Sequence, residues 1–159
     1  MIFVTLGSQK FQFNRLLIEI DRLVGDGLIK EEVFAQIGYS DYKPKNYRYK
    51  QFLDRDEFTN IMGKCDKVIT HGGTGAIIGA VKREKKVIAV PRLAKFGEHV
   101  DDHQVQLLKE FDQIGFISAC YDIRDFESIY SNLNDISFKR YVSNTKMILN
   151  SIQEFIEGS

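Results

Sequence analysis

Apolar residues along the chain follow two spacings that alternate from one end to the other. Residues 2–6 form a β-branched run, and after them Phe13, Leu16, Leu17, Ile20, Leu23 and Val24 recur at three- and four-residue steps, the stripe of an amphipathic helix. Gly25 and Gly27 close that helix. Residues 32–37 read as a second strand, residues 46–53 alternate as a third, and residues 54–63 read as a helix with an acidic first turn. The runs at 67–70, 87–90 and 116–119 are almost wholly apolar, the pattern of strands covered on both faces. Helical stretches at 74–83 and 101–111 separate them. A last stripe of Phe138, Tyr141, Val142, Thr145, Ile148, Leu149, Ile152, Phe155 and Ile156 predicts one long terminal helix.

Buried strands alternating with helices predict an α/β fold with a Rossmann-like, doubly wound parallel sheet, because parallel neighbours must be joined by crossovers. Such sheets bind ligands beyond the carboxyl ends of their strands, where the strand order reverses. The loops after Leu6, Thr70 and Val90 are therefore the places to search. The 159 residues suffice for a single domain spanning the chain, 1–159, and no repeat, low-complexity tract or linker divides it.

Charge and cysteine content narrow the reading. Lysine plus arginine and aspartate plus glutamate are equal at 22 each, so nothing in the overall charge favours nucleic acid or anionic lipid. The basic and aromatic run of residues 42–50 reads as a solvated strand and turn rather than a nucleic-acid surface. Cys65 and Cys120 lack a paired CxxC spacing and read as buried thiols in a reduced compartment. The opening MIFVTLG has no basic n-region or full apolar h-region, and no stretch nears the roughly 18 apolar residues of a bilayer span. A cytoplasmic protein is expected, held elsewhere only through a partner.

The candidate chemistry sits in the loops. In Thr70-His71-Gly72-Gly73-Thr74-Gly75, three glycines lie between a buried strand and a helix. Glycine lets a ligand approach the backbone, and a helix start offers free N–H groups and a favourable dipole to phosphate. A tight turn with no ligand is the competing explanation. Gly73, Gly75 and Gly79 imitate a dinucleotide fingerprint, which would suggest a nicotinamide-dependent oxidoreductase, but they fall outside the first βα unit and no acidic ribose ligand follows the next strand. Gly7-Ser8 is a second candidate anion loop. The charged loop of residues 91–102 leads into His103 and Gln104. His99 and His103 would share a face if one helix carried both, yet no third metal ligand can be named, so hydrogen bonding to a polar ligand suits them better and no metal is expected.

Three motifs in order, FVTLGSQ at 3–9, VITHGGTGAIIGA at 68–80 and VIAVPRLAKFGEHVDDHQ at 87–104, resemble the C-terminal donor-binding domain of glycosyltransferase family 28. The short bacterial capsule and exopolysaccharide proteins of that kind, each one half of a split transferase, are the most similar in pattern. The resemblance implies the C-terminal half of a GT-B enzyme. It would be the donor-binding catalytic subunit of a two-component inverting transferase that moves a hexose, with galactose, glucose and N-acetylglucosamine as candidates. The donor would be a UDP-sugar, bound as substrate with no cofactor. A membrane-anchored partner subunit would bind a lipid-linked saccharide acceptor and hold this chain at the inner membrane face. By resemblance the backbone at Thr74, Gly75 and Ala76 holds the donor diphosphate, with Gly7 and Ser8 facing it; His71, Gly72 and Gly73 belong to the same donor-binding turn; His103 and Gln104 match the polar pair near the donor sugar; and Glu98 and His99 match the bacterial loop. His99 is the candidate general base, with the partner as the alternative source. Gly79 stands where many members carry a ribose-binding glutamate, so ribose recognition is rearranged, weaker, or supplied by another residue such as Glu98. A non-catalytic interaction subunit of the same complex is the second reading.

Overall fold

The computed structural model describes residues 1–141. Six parallel strands form one sheet: β1 (Ile2–Thr5), β2 (Val33–Gln36), β3 (Arg48–Lys50), β4 (Lys67–His71), β5 (Lys86–Val90) and β6 (Ser118–Ala119). Their order across the sheet is β3-β2-β1-β4-β5-β6. The chain therefore winds outward from β1 in one direction, returns, and winds outward from β4 in the other. The reversal lies between β1 and β4, which pair in register with Val4 opposite Ile69 and Thr5 opposite Thr70.

Helices cover both faces. On one side α1 (Asn14–Gly25) presents Leu16, Leu17, Ile20 and Leu23 to Ile2, Val4, Ile69 and Ile88 of the sheet. On the other, α2 (Arg55–Lys64), α3 (Thr74–Lys82) and α4 (His103–Ile114) pack around Phe3, Val68, Val87 and Ala89. Alternation along each strand divides the two cores: Ile2 and Val4 point one way, Phe3 the other. Asp54 starts α2 with a capping box, accepting from the Glu57 N–H while the Glu57 carboxylate accepts from the Asp54 N–H.

Most expected elements appear with shifted ends. The third strand shrinks to three exposed residues at the sheet edge, where Arg48 pairs with Glu32 and Lys50 with Glu57. A short, charged edge discourages pairing with other chains. The helix expected from residue 101 begins at His103, because the Asp101 and Asp102 carboxylates bend the preceding chain by accepting from the N–H groups of His103 and Ala94. One helix was not expected from the spacing, α5 (Phe126–Asn132), whose Phe126, with Leu133 just beyond it, closes the α1 side of the core. Cys65 and Cys120 are buried, and burial pushes the Cys120 thiol up to about 12. Phe138 and Tyr141 pack against the two cores, while the rest of the terminal stripe, from residue 142, lies outside the described residues.

The α1 packing yields a paired prediction. Leu17→Ala removes a fully buried side chain and should cost about 2–5 kcal/mol in urea denaturation. Ile18→Ala, one position round the helix at an exposed site, should stay within about 0.5 kcal/mol of wild type.

Candidate functional site

The carboxyl ends of β1 and β4 diverge at the strand-order reversal and leave a cleft of about 560 Å³. Thr5, Gly7, Ser8 and Gln9 line it from the first loop, Gln36 from the end of β2, Phe58 from α2, and His71, Gly73, Thr74, Gly75 and Ala76 from the β4–α3 turn. Two loops far apart in sequence thus face one another. The start of α3 carries no side-chain cap. Its leading N–H groups have no carbonyl four residues back, so this end is a neutral but polarised donor surface for an anion.

The glycines have separate reasons. A Cβ on Gly73 or on Gly7 would come within 2.6 Å of the His71 Nε2, and one on Gly72 would strike the Gln104 side chain. Gly7 is also left-handed at φ 71°. Gly75 has nothing within 4 Å of its missing side chain. Gly72, Gly73 and Gly7 make room for buried side chains, whereas Gly75 borders open space at the cleft.

Behind the cleft lies a buried polar layer. The Gln104 Oε1 accepts from the N–H groups of Gly72 at 3.0 Å and Arg92 at 2.9 Å, joining the loops after β4 and β5. The Gln104 Nε2 faces the His71 Nδ1 at 3.3 Å. Arg92 is 1% exposed, and its guanidinium donates to the carbonyls of Leu6, Phe11, Gln12 and Glu98. It also stacks over Phe13, 5.1 Å from the ring centre. Burial lowers the Arg92 pKa to about 10, which leaves it charged at neutral pH. Burial, with smaller contributions from Arg92 and His99, lowers the His71 pKa to about 3 and keeps the imidazole neutral.

Of the residues expected at the site, Gly7, Ser8, His71, Gly73, Thr74, Gly75 and Ala76 come together around the cleft. Gly72 and Gln104 stand just behind it, bonded to each other. Glu98, expected to reach the donor, points inward instead. Its buried carboxylate grips Arg15 through two bonds of 2.9 Å and accepts from the Leu93 N–H, so it is spent on holding its own loop. His99 lies in that loop, paired with Asp101 at 3.2 Å and leaning on Phe11, and neither it nor His103 lines the cleft. Because α4 starts at His103, the two imidazoles do not share a helix face. Among the described residues no three metal-binding side chains converge. Sequence spacing passed over Gln36 and Phe58, although the position at a strand's end could have marked Gln36. Arg15 and Arg92 were passed over too, since an arginine carries no local sequence pattern that announces its burial.

Neutral, buried His71 makes stability depend on pH. Its folded pKa of about 3 lies below the unfolded value of 6.5, so the unfolded chain binds the extra proton between those limits. The contribution is complete above about pH 6.5 and lost as pH falls, reaching about 2 kcal/mol by pH 5. Chemical denaturation of wild type should show this loss between pH 7 and 5, and His71→Gln should flatten the curve over the same interval.

The comparisons with known proteins agree with this geometry. The chain is 25% identical over 138 residues to human UDP-N-acetylglucosamine transferase subunit ALG13, covering 75% of this chain and 11% of that protein. It superposes on the solution structure of ALG13 with a TM-score of 0.60 at 16% identity, covering 98% of this chain and 94% of the other. The calicheamicin glycosyltransferase CalG4 gives 0.59 at 17% identity, with 99% of this chain on 38% of that one. These likenesses identify the fold as that of GT-B glycosyltransferase C-terminal domains. The sequence matches the model of the glycosyltransferase family 28 C-terminal domain over residues 1–157, and the chain belongs to that family.

Proposed function

We propose that this chain is the donor-binding catalytic subunit of a two-component inverting glycosyltransferase. It transfers a hexose from a UDP-sugar to a lipid-linked acceptor in capsular or exopolysaccharide synthesis. The observation that carries the reading is the uncapped start of α3 opening on a cleft at the strand-order reversal. A sugar nucleotide is bound through its diphosphate, and donors fixed before the ligand arrives stabilise the diphosphate charge that grows as the sugar leaves. In this reading amides do that work, without a metal ion.

The same geometry supports a second subunit. An inverting transfer needs a base for the acceptor hydroxyl. His71 is a poor proton acceptor at neutral pH with a pKa of about 3, and His99 is turned to Asp101 outside the cleft. The base then comes from the acceptor side, on a partner subunit. The human relative is itself named a transferase subunit, and this chain spans about a tenth of its length. Among the described residues no helix is long and apolar enough to cross a membrane. In this proposal a membrane-anchored partner holds a cytoplasmic chain at the inner face, and galactose, glucose and N-acetylglucosamine are the donor sugars to try.

Gly75→Asp tests the anion site. The position has open space for a side chain, and a carboxylate in the first helical turn favours the helix, so the fold should keep its stability. UDP binding by calorimetry should weaken on the order of tenfold or more through repulsion of the diphosphate. Wild-type binding should persist in EDTA. No binding of UDP by wild type at millimolar concentration, with or without the partner, would end the proposal. For the partner, co-expression with a membrane-associated, acceptor-binding transferase subunit should bring this chain into the membrane fraction and permit transfer from one member of a UDP-hexose panel. Transfer by this chain alone would remove the two-component claim.

A further inference from the structure

Two backbone amides decide how the Gln104 side chain is oriented. The N–H groups of Gly72 and Arg92 both end on one atom of its amide, at 3.0 and 2.9 Å, and an N–H can only donate, so that atom is the oxygen. The other atom is the NH₂ group, which lies 3.3 Å from the His71 Nδ1. An NH₂ group can only donate to it. The Nδ1 of His71 must therefore offer its lone pair, and in a neutral imidazole the proton then sits on Nε2. Burial keeps this ring neutral at ordinary pH.

We infer that Gln104 is a positioning residue that locks His71 as the Nε2–H tautomer, making its outer edge a neutral hydrogen-bond donor at the cleft. The outer edge is placed by Gly7 and Gly73, each of which leaves only enough space for Nε2 where a Cβ would stand. Both glycines line the cleft with His71 and the start of α3. Gln104 is 6% exposed and its amide is occupied by three partners, so it acts through His71 rather than on a ligand. The opposite tautomer would aim a lone pair at any bound anion. A protonated ring would carry charge into a buried site beside Arg92. The lock avoids both. That an anion receives the Nε2–H rests on the sugar-nucleotide reading; the tautomer itself does not.

The test is long-range ¹H–¹⁵N NMR of the His71 ring in the intact chain. Wild type should show Nε2 protonated and Nδ1 bare at pH 7; a bare Nε2 or a rapidly exchanging mixture overturns the inference. Gln104→Glu keeps an oxygen for the two amides and turns a second oxygen toward Nδ1, which must then carry a proton. A proton on Nδ1 in that variant supports the lock, and an unchanged spectrum refutes it. Should the variant not fold, the wild-type spectrum decides alone. UDP added to wild type should shift the Nε2–H resonance together with the amides of Thr74, Gly75 and Ala76. If the amides respond and Nε2–H does not, the donor role fails while the nucleotide reading survives. If neither responds to saturating UDP, the nucleotide reading and the donor role fail, and the tautomer result stands. UDP affinity in folded Gln104→Glu should fall on the order of tenfold, about 1.4 kcal/mol.

Discussion

The buried guanidinium of Arg92 is the constraint on which the ligand-facing end of the molecule depends. Loops at the ends of parallel strands carry carbonyls and amides that no sheet partner satisfies, and leaving them bare inside the protein is costly. Arg92 gathers the carbonyls of Leu6, Phe11, Gln12 and Glu98, so that one planar fork ties the loop after β1 to the loop after β5. The charge is tolerated because the carbonyl oxygens and the face of Phe13 surround it. Nearby, Arg15 and Glu98 complete a second buried connection between α1 and the same loop.

Gln104 extends this layer to the third loop. Its single oxygen serves the amides of Gly72 and Arg92, which places the β4–α3 turn at a fixed distance from the Arg92 cluster. The turn in turn fixes the direction in which α3 begins. A backbone amide cannot swing toward a ligand as a side chain can, so the geometry of such donors must come from behind. Three loops bound to one another by buried polar side chains supply that rigidity.

The electrostatics follow from the same arrangement. The cleft is lined by helix amides and a neutral histidine and, among the described residues, by no lysine or arginine, while the nearby guanidinium of Arg92 is turned inward. In the proposed reading such a surface would hold an anion by direction more than by net charge, and it changes little across physiological pH because His71 titrates far below it. It also leaves the cleft without a strong proton acceptor, which accords with the proposed division of labour between two subunits.

Much of the architecture was legible in the sequence. The apolar runs at 67–70 and 87–90 became the central strands, and the stripe from Phe13 to Leu23 became the buried face of α1, since burial on one or two faces leaves a period that can be read locally. The glycines between β4 and α3 were expected to admit a ligand to the backbone; Gly72 and Gly73 instead make room for side chains of the protein itself. What spacing could not give was the partner of each close approach: Gly73 lies against His71, Gly7 against the same ring from across the sheet, and Gly72 against Gln104. Glu98 and His99 looked alike as polar residues of one loop, yet Glu98 is buried against Arg15 and His99 is paired with Asp101 outside the cleft. The sequence alone determined most of the elements and their succession along the chain, α5 excepted, because these depend on neighbours three or four residues away. Which polar side chains face a ligand and which are consumed within the protein was decided only by the tertiary structure, because those hydrogen bonds join residues up to 86 positions apart.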